Sequence, residues 1–174
     1  MLKTRQAVPE LSFPTIDGGT WSLSERKPET MSMVVAYRGL HCPMCRNYLQ
    51  ELNGKIGEFT ARGVEVVAVS SDGKQRAEAA KIDWELENVP IAYGLTIDKA
   101  RELGLSISTS RGKTSIGIDE PVQFNEPGLF LVKPDGTLYA AYIQTMPFAR
   151  PPLDQLLKAI DFIKEKGYPA RGEA

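Results

Sequence analysis

Cysteine and histidine are scarce in this sequence, which has two cysteines and one histidine among 174 residues. A secreted disulfide scaffold carries more cysteines in a shorter chain, so the sequence does not favour that class. Structural zinc generally takes four protein ligands, and His41, next to Cys42, is poorly placed to share a metal with both cysteines. We therefore expect neither a disulfide scaffold nor a metal or other cofactor.

The chain also lacks an excess of charge and any long apolar run. Its formal net charge of -1 gives no bulk attraction for nucleic acid or for an anionic membrane. No apolar run approaches the roughly 20 residues that span a bilayer. Residues 1–14 have neither the apolar stretch nor the cleavage site of a signal peptide, so a cytoplasmic protein is expected.

The apolar patterning predicts one α/β domain over residues 1–174, with an irregular N-terminal arm at 1–19. Two buried strands joined by a helix pair in parallel, whereas the late hairpin around Pro134-Asp135-Gly136 is antiparallel. A mixed central sheet with helices on both faces satisfies both demands. The predicted strands are 20–24, 32–37, 64–70, 91–93, 129–133 and 138–144, and the predicted helices are 42–63, 74–87, 99–103 and 153–166.

The motif Cys42-Pro43-Met44-Cys45 lies where a buried strand turns into a helix. Side chains at positions i and i+3 share a helix face, so a small adjustment of the first turn makes or breaks a disulfide. Pro43 suits the first helical position, which makes Cys42 the expected N-cap. The closed loop is too small to add much stability by chain entropy, which favours a disulfide that is cycled.

The position of the motif at a helix N-terminus also predicts which cysteine attacks and which resolves. Unpaired N–H groups and the helix dipole stabilise a thiolate at Cys42, and Arg38 and His41 are candidates to add positive charge. The thiolate is the nucleophile in disulfide chemistry. Cys42 is therefore the predicted attacking cysteine and Cys45 the resolving one. Two inert buried cysteines, or half of a zinc site, are the alternative interpretations.

Three segments resemble the alkyl hydroperoxide reductase/thiol-specific antioxidant branch of the thioredoxin superfamily. They are residues 37–45 (YRGLHCPMC), 67–72 (VAVSSD) and 127–138 (PGLFLVKPDGTL). More narrowly, they are similar to peroxiredoxin-like proteins that carry a CPxC site. The resemblance implies a thioredoxin-like fold, antioxidant or disulfide-exchange activity, and a cis proline facing the dithiol, which Pro127 matches.

The sequence departs from that family at positions that bind peroxide. Typical peroxiredoxins have a Pro seven residues and a Thr or Ser three residues before the reactive cysteine, and Val35 and Gly39 stand there. The family's late arginine falls at Glu126 or Pro127. Thioredoxin's buried Asp on the preceding strand corresponds to Ala36.

Other loops are expected to reach the dithiol because the strands end at one edge of the sheet. Residues 70–72 follow the second buried strand, and residues 145–150 follow the last strand. In the latter loop Met146 and Phe148 predict an apolar lip, and Arg150 is a candidate to hold a carboxylate or glutathione. The predicted supporting residues are Arg38, His41, Pro43, Met44, Pro127, Phe148 and Arg150.

The segment 106–125 leads into Pro127 and is expected to fold over the groove as a lid. It is rich in Ser, Thr, Gly and Lys, and so long a connection is usually functional or ordered on its own account. Arg111 and Lys113 within it are expected to be solvated surface charges.

Three functions compete for this dithiol. The first is a thiol–disulfide oxidoreductase, in which Cys45 resolves a mixed disulfide formed at Cys42. The second is a thiol peroxidase, in which Cys42 becomes a sulfenic acid and condenses with Cys45. The third is a non-catalytic redox-sensing module. The expected partners are protein or small-molecule disulfides or peroxides, an electron donor of the thioredoxin or glutathione system, and a second copy in a homodimer.

Overall fold

The computed structural model describes residues 2–174 and is built from short strands and four main helices. The helices are α1 (Pro43–Ala61), α2 (Lys74–Asp83), α3 (Ile97–Glu102) and α4 (Leu153–Lys166). The strands are β1 (Ser12–Pro14), β2 (Thr20–Ser22), β3 (Met31–Ala36), β4 (Val64–Val69), β5 (Ile91–Ala92), β6 (Ile107–Thr109), β7 (Gln123–Asn125), β8 (Gly128–Val132) and β9 (Leu138–Ile143).

A five-stranded mixed sheet lies at the centre, with the strand order β5-β4-β3-β8-β9. β3 pairs in parallel with β4, and β4 with β5, whereas β8 is antiparallel to both β3 and β9. The predicted mixed sheet is therefore confirmed. β3, β4 and β9 run in the same direction, so the loops that follow them leave one edge of the sheet.

The sheet is covered on both faces because alternate residues of each strand point to opposite sides. Met33 and Val35 of β3 pack in one core with residues of α1, α2 and α4. Val34 and Ala36 pack in a second core with residues of α3 and of the N-terminal arm. All six residues of β3 are buried, which explains its continuous apolar run.

Three predicted segments differ from the observed elements. The arm 1–19 is not wholly irregular, since β1 pairs with β2 in a small antiparallel sheet. The second helix ends at Asp83, four residues early, because Glu85 adopts a left-handed backbone with φ 55°. The segment 106–125, here called the β6–β7 arm, contains an antiparallel pair of strands.

Within residues 2–174, no helix is both long enough and apolar enough to cross a lipid bilayer.

Candidate active site

Cys42 caps the N-terminus of α1, as the sequence predicts. Its backbone is extended, Pro43 occupies the first helical turn, and the Cys42 Sγ accepts the N–H of Cys45 at 3.3 Å. A Ser or Asp oxygen does the same work at an ordinary N-cap. The cap places a sulfur where the helix offers free N–H groups and the positive end of its dipole.

The surroundings of Cys42 favour its thiolate. Its pKa falls from 9.0 to about 6, because the Cys45 thiol and the Cys45 N–H donate to its sulfur and because Arg38 is positively charged. The Arg38 Nη1 lies 3.9 Å from the Cys42 Sγ. Burial opposes the thiolate but is outweighed. A substantial fraction of Cys42 is therefore ionised at neutral pH.

Cys45 has the opposite character. Burial, followed by the neighbouring sulfur and charge of Cys42, raises the pKa of its thiol well above 9.0. Two donors nevertheless point at the Cys45 Sγ: the Arg38 N–H at 3.4 Å and the Arg150 Nη2 at 3.0 Å. Both cysteines are free thiols. The pair is thus a reduced dithiol with one acidic and one protonated member.

Arg38 is held by two carboxylates that the sequence did not connect with it. Its Nε lies 3.3 Å from the Glu126 Oε2, and its Nη2 lies 3.5 Å from the Glu120 Oε1. The Glu126 Oε1 also accepts the Ser108 hydroxyl at 2.6 Å, and the guanidinium stacks 4.8 Å above the Phe124 ring. All three partners of Arg38 belong to the β6–β7 arm or directly follow it, so the arm lies against Arg38 beside the dithiol.

His41 does not supply the positive charge that was expected of it. The side chain is buried against the Phe124 ring, with ring centroids 4.6 Å apart. Burial, together with the charges of Arg38 and Arg76, lowers the pKa of His41 to about 4. The imidazole is therefore neutral at pH 7. The expectation was wrong because the side chain is buried and because two cations already lie beside it.

Asp72 joins the site from the end of β4, close to where the sequence placed residues 70–72. Its buried carboxylate accepts the Leu40 N–H at 2.7 Å and pairs with the Arg76 Nε at 2.9 Å. Burial raises the pKa of this carboxyl group. The carboxylate fills the space beside Gly39, where an added Cβ would lie 2.6 Å from the Asp72 Oδ2.

Pro127 lies beside the site but not in the form implied by the resemblance. It is buried and precedes β8, whose Gly128 pairs with Ala36 at the end of β3. Every peptide bond among the described residues is trans, so the expected cis proline is a wrong prediction. Its carbonyl accepts the Gln144 N–H at 3.1 Å, which ties the β8 start to the end of β9.

The loop after β9 reaches the dithiol as predicted. Met44 and Phe148 are exposed, and with Tyr48, Arg150 and their neighbours they line a shallow hollow next to the motif. Met146 is exposed in the same loop. Arg150 contacts the Cys45 sulfur rather than an acidic side chain. Arg111 and Lys113 are exposed, as expected.

Sequence reasoning missed Glu120 and Arg76, and it named Asp72 and Glu126 without their partners in the site. Glu120 stands 82 positions after Arg38 in the chain, and no local spacing signals that pairing. Within residues 2–174, no group of three or more His, Cys, Asp or Glu side chains could hold a metal ion.

The fold and the paired thiols define a class, the oxidoreductases built on the thioredoxin-like fold. The sequence profile of the AhpC/TSA family matches residues 4–141, and the chain belongs to that family. No curated protein sequence matches the chain.

Solved structures of similar fold include proteins named as peroxiredoxins and one named as a thiol:disulfide interchange protein. AhpC of Enterococcus faecalis has a TM-score of 0.74 at 18% identity, covering 98% of this chain and 99% of its own. The peroxidoxin BcpB of Mycobacterium tuberculosis has a TM-score of 0.71 at 16% identity, covering 94% and 99%. A Chlorobium tepidum protein assigned as the thiol:disulfide interchange protein DsbE has a TM-score of 0.67 at 20% identity, covering 92% and 99%. At these identities the likeness is one of fold.

Proposed function

We propose that this protein is a thiol–disulfide oxidoreductase in which Cys42 attacks and Cys45 resolves. The observation that carries the proposal is the opposite shift of the two thiols. Cys42 has a pKa lowered to about 6 at the helix N-terminus, whereas the pKa of Cys45 is raised by burial one turn further on. An attacking thiol works best with a pKa near the ambient pH, and Cys42 meets that condition whereas Cys45 does not.

The reaction takes place in two exchanges. The Cys42 thiolate attacks one sulfur of a substrate disulfide, forms a mixed disulfide and releases the other half as a thiolate, which takes a proton. Cys45 then loses its proton and attacks the Cys42 Sγ. The Cys42–Cys45 disulfide forms, and the second half of the substrate leaves as a thiol. The substrate is reduced by two electrons and the protein is oxidised by two.

The surroundings of Gly39 support disulfide exchange over peroxide reduction. The hydroxyl that peroxiredoxins place three residues before the reactive cysteine has no equivalent, and the Asp72 carboxylate occupies the space beside Gly39. Glu120 and Glu126 pair with Arg38, the cation nearest to Cys42. A negative oxygen developing during peroxide cleavage would meet these carboxylates as well as the guanidinium.

The second candidate function is a thiol peroxidase, and one observation favours it. Cys42 is 0% exposed, so a disulfide substrate requires the site to open before it can reach the sulfur, whereas hydrogen peroxide is small. In that reaction Cys42 takes one oxygen from the peroxide and becomes a sulfenic acid, releasing water or an alcohol. Cys45 then condenses with the sulfenic acid, forming the same disulfide and releasing one water.

The partners that we propose follow from the chemistry. Substrates are protein or small-molecule disulfides, and the hollow formed by Met44, Phe148 and Arg150 lies where such a substrate would pass. A dithiol donor of the thioredoxin type, or glutathione, restores the reduced pair. A cytoplasmic location, where such donors keep thiols reduced, fits this cycle. We also propose that the protein pairs with a second copy of itself as a homodimer.

The deciding experiment uses the Cys45→Ser variant, which traps whatever forms at Cys42. Reduced protein is mixed with oxidised glutathione or with hydrogen peroxide, and the rate of each reaction is followed by intact mass. We expect fast formation of a glutathione adduct, and oxygen addition at a rate close to that of free cysteine. Cys42→Ser is the control and forms neither product.

Fast oxygen addition with slow adduct formation would reverse the assignment in favour of the peroxidase. The redox-sensing interpretation would replace both if the wild-type disulfide forms but neither thioredoxin nor glutathione returns it to the dithiol.

A further inference from the structure

Arg150 contacts the sulfur that acts in the second exchange, not the one that acts in the first. It follows β9 in the chain and lies 105 positions after Cys45, yet its Nη2 is 3.0 Å from the Cys45 Sγ. The loop that carries it is fixed, because the Tyr48 hydroxyl donates to the Pro151 carbonyl at 2.8 Å and the Arg150 Nε donates to the Pro147 carbonyl at 3.1 Å. The guanidinium also stacks 5.2 Å above the Tyr48 ring.

The charge of Arg150 is not neutralised by any acidic side chain. Among the described residues no Asp or Glu forms an ion pair with it, in contrast to Arg38 with its two glutamates. Its Nη1 is buried and has no hydrogen-bond partner. A half-buried cation without a counter-ion is costly, because burial removes part of its hydration. The Cys45 sulfur, 3.0 Å from the Arg150 Nη2, can become an anion.

That anion is suppressed in the resting dithiol and favoured after the first exchange. The sulfur and negative charge of Cys42 raise the pKa of Cys45, whereas the Arg150 charge and the Arg38 N–H lower it. Once Cys42 is bound in a mixed disulfide, its negative charge is gone. The two donors then act on Cys45 without that opposition.

We propose that Arg150 is a catalytic residue of the second exchange, in which it stabilises the Cys45 thiolate that attacks the Cys42 Sγ. This inference rests on the proposed function. In this step the Cys45 proton passes to solvent, the Cys42–Cys45 bond forms, and the bond between Cys42 and the substrate sulfur breaks. The released thiolate then takes a proton. Arg150 makes no new covalent bond and changes no oxidation state.

The experiment separates the two exchanges with the neutral probe 2,2′-dithiodipyridine. Stopped-flow absorbance records the first thiopyridone when Cys42 forms the mixed disulfide and the second when Cys45 resolves it. A neutral probe excludes any effect of Arg150 on binding a substrate carboxylate. The variants are Arg150→Gln, Arg150→Lys and, as a matched control, Arg46→Gln, which removes an exposed arginine next to Cys45 in the chain.

We expect Arg150→Gln to slow the second phase by about tenfold or more at pH 7, since a cation close to a thiol changes its pKa by about one unit or more. The first phase changes little. The deficit shrinks as the pH rises, because Cys45 then ionises without help. Arg150→Lys is expected to fall between the wild type and Arg150→Gln, and Arg46→Gln to match the wild type in both phases.

A second phase that is unchanged in Arg150→Gln overturns the inference and leaves the proposed function standing. Equal slowing of both phases, or a lower thermal unfolding midpoint that Arg150→Lys shares, would assign Arg150 a structural role instead. A wild-type protein that gives no first phase overturns the proposed function, and the inference with it.

Discussion

At the scale of single residues, the two sulfurs of the motif are three positions apart and differ in chemistry. Both are buried, and burial alone would hold both thiols protonated. The pKa of Cys42 is nevertheless lowered, because its sulfur accepts hydrogen bonds at the helix N-terminus and lies near Arg38. Cys45 lies one turn inside the helix, where burial outweighs its two donors. The order of attack that we propose rests on this contrast.

The first prediction concerns the reactivity of Cys42. The rate of iodoacetamide labelling of the reduced protein should rise with pH through a midpoint near 6, the pKa of Cys42. Intact mass and peptide mapping should place the label on Cys42 alone below pH 8. Cys42→Ser is the control and should be labelled slowly. A midpoint close to 9 would show that the helix terminus does not activate this thiol.

The second prediction concerns Arg38. Arg38→Gln should raise the midpoint of Cys42 labelling by about one pH unit, because it removes a positive charge beside the thiolate. Arg111→Gln, which removes an exposed arginine on the β6–β7 arm, should leave the midpoint unchanged. An unshifted midpoint in Arg38→Gln would mean that the Glu120 and Glu126 carboxylates already cancel the effect of the Arg38 charge on the pKa of Cys42.

At the scale of elements, the turn between β3 and α1 decides what can stand next to the dithiol. Gly39 has φ 129°, which L-residues with a side chain rarely adopt, and the Asp72 carboxylate lies against it. The same carboxylate accepts the Leu40 N–H and so fixes the turn to the end of β4. The turn is therefore held by a long-range contact. A side chain at position 39 is disfavoured both by the backbone conformation and by the contact with the Asp72 carboxylate.

The third prediction follows for glycine substitutions on either side of the helix start. Gly39→Ala should destabilise the protein by about 1–3 kcal/mol from backbone strain and the contact with Asp72. Gly57→Ala, at an exposed position within α1 with nothing within 4 Å of the added Cβ, should stabilise it by about 0.5–1 kcal/mol. Urea unfolding of the reduced proteins measures both. A neutral Gly39→Ala would show that Asp72 moves aside freely.

At the scale of the whole molecule, the site exists because three parallel strands end at one edge of the sheet. The end of β3 brings the motif, the end of β4 brings Asp72, and the loop after β9 brings Arg150. The β6–β7 arm supplies a further side chain, Glu120, which pairs with Arg38. The ionisation of Cys42 is thus linked to the folding of the entire domain.

The fourth prediction is a pH dependence of stability in the reduced protein. The folded-state pKa of Cys42 is lowered from 9.0 to about 6, so the stabilisation that it gives is fully present above pH 9 and is lost as the pH falls through 6. Between pH 9 and 7 the wild type should therefore lose stability relative to Cys42→Ser. The pKa of His41 moves from 6.5 to about 4 on folding, so His41 titrates below that window. Cys45, whose pKa is raised on folding, is present in both proteins.

Guanidinium unfolding midpoints of the two reduced proteins, measured at several values between pH 7 and 9, test this prediction. Midpoints that run parallel for wild type and Cys42→Ser would contradict a lowered Cys42 pKa.

The sequence by itself determined the order of the elements and the chemical contrast within the motif. Both depend on short-range physics. Apolar periodicity predicts the strands and helices. Pro43 at the first helical position makes Cys42 the N-cap, whatever the helix packs against. The topology then followed from one parallel crossover and one antiparallel hairpin, which also put the loop containing Arg150 at the edge that carries the dithiol.

Only the tertiary structure decided which charges act on the sulfurs. Arg38 is paired with Glu120 and Glu126, His41 is neutral, and Arg150 lies against the Cys45 sulfur. Pro127 is trans although the family resemblance implied cis. These properties depend on burial and on contacts between residues far apart in the chain. Desolvation and charge–charge energies are set by what surrounds a group in space, and neighbours in sequence do not reveal that.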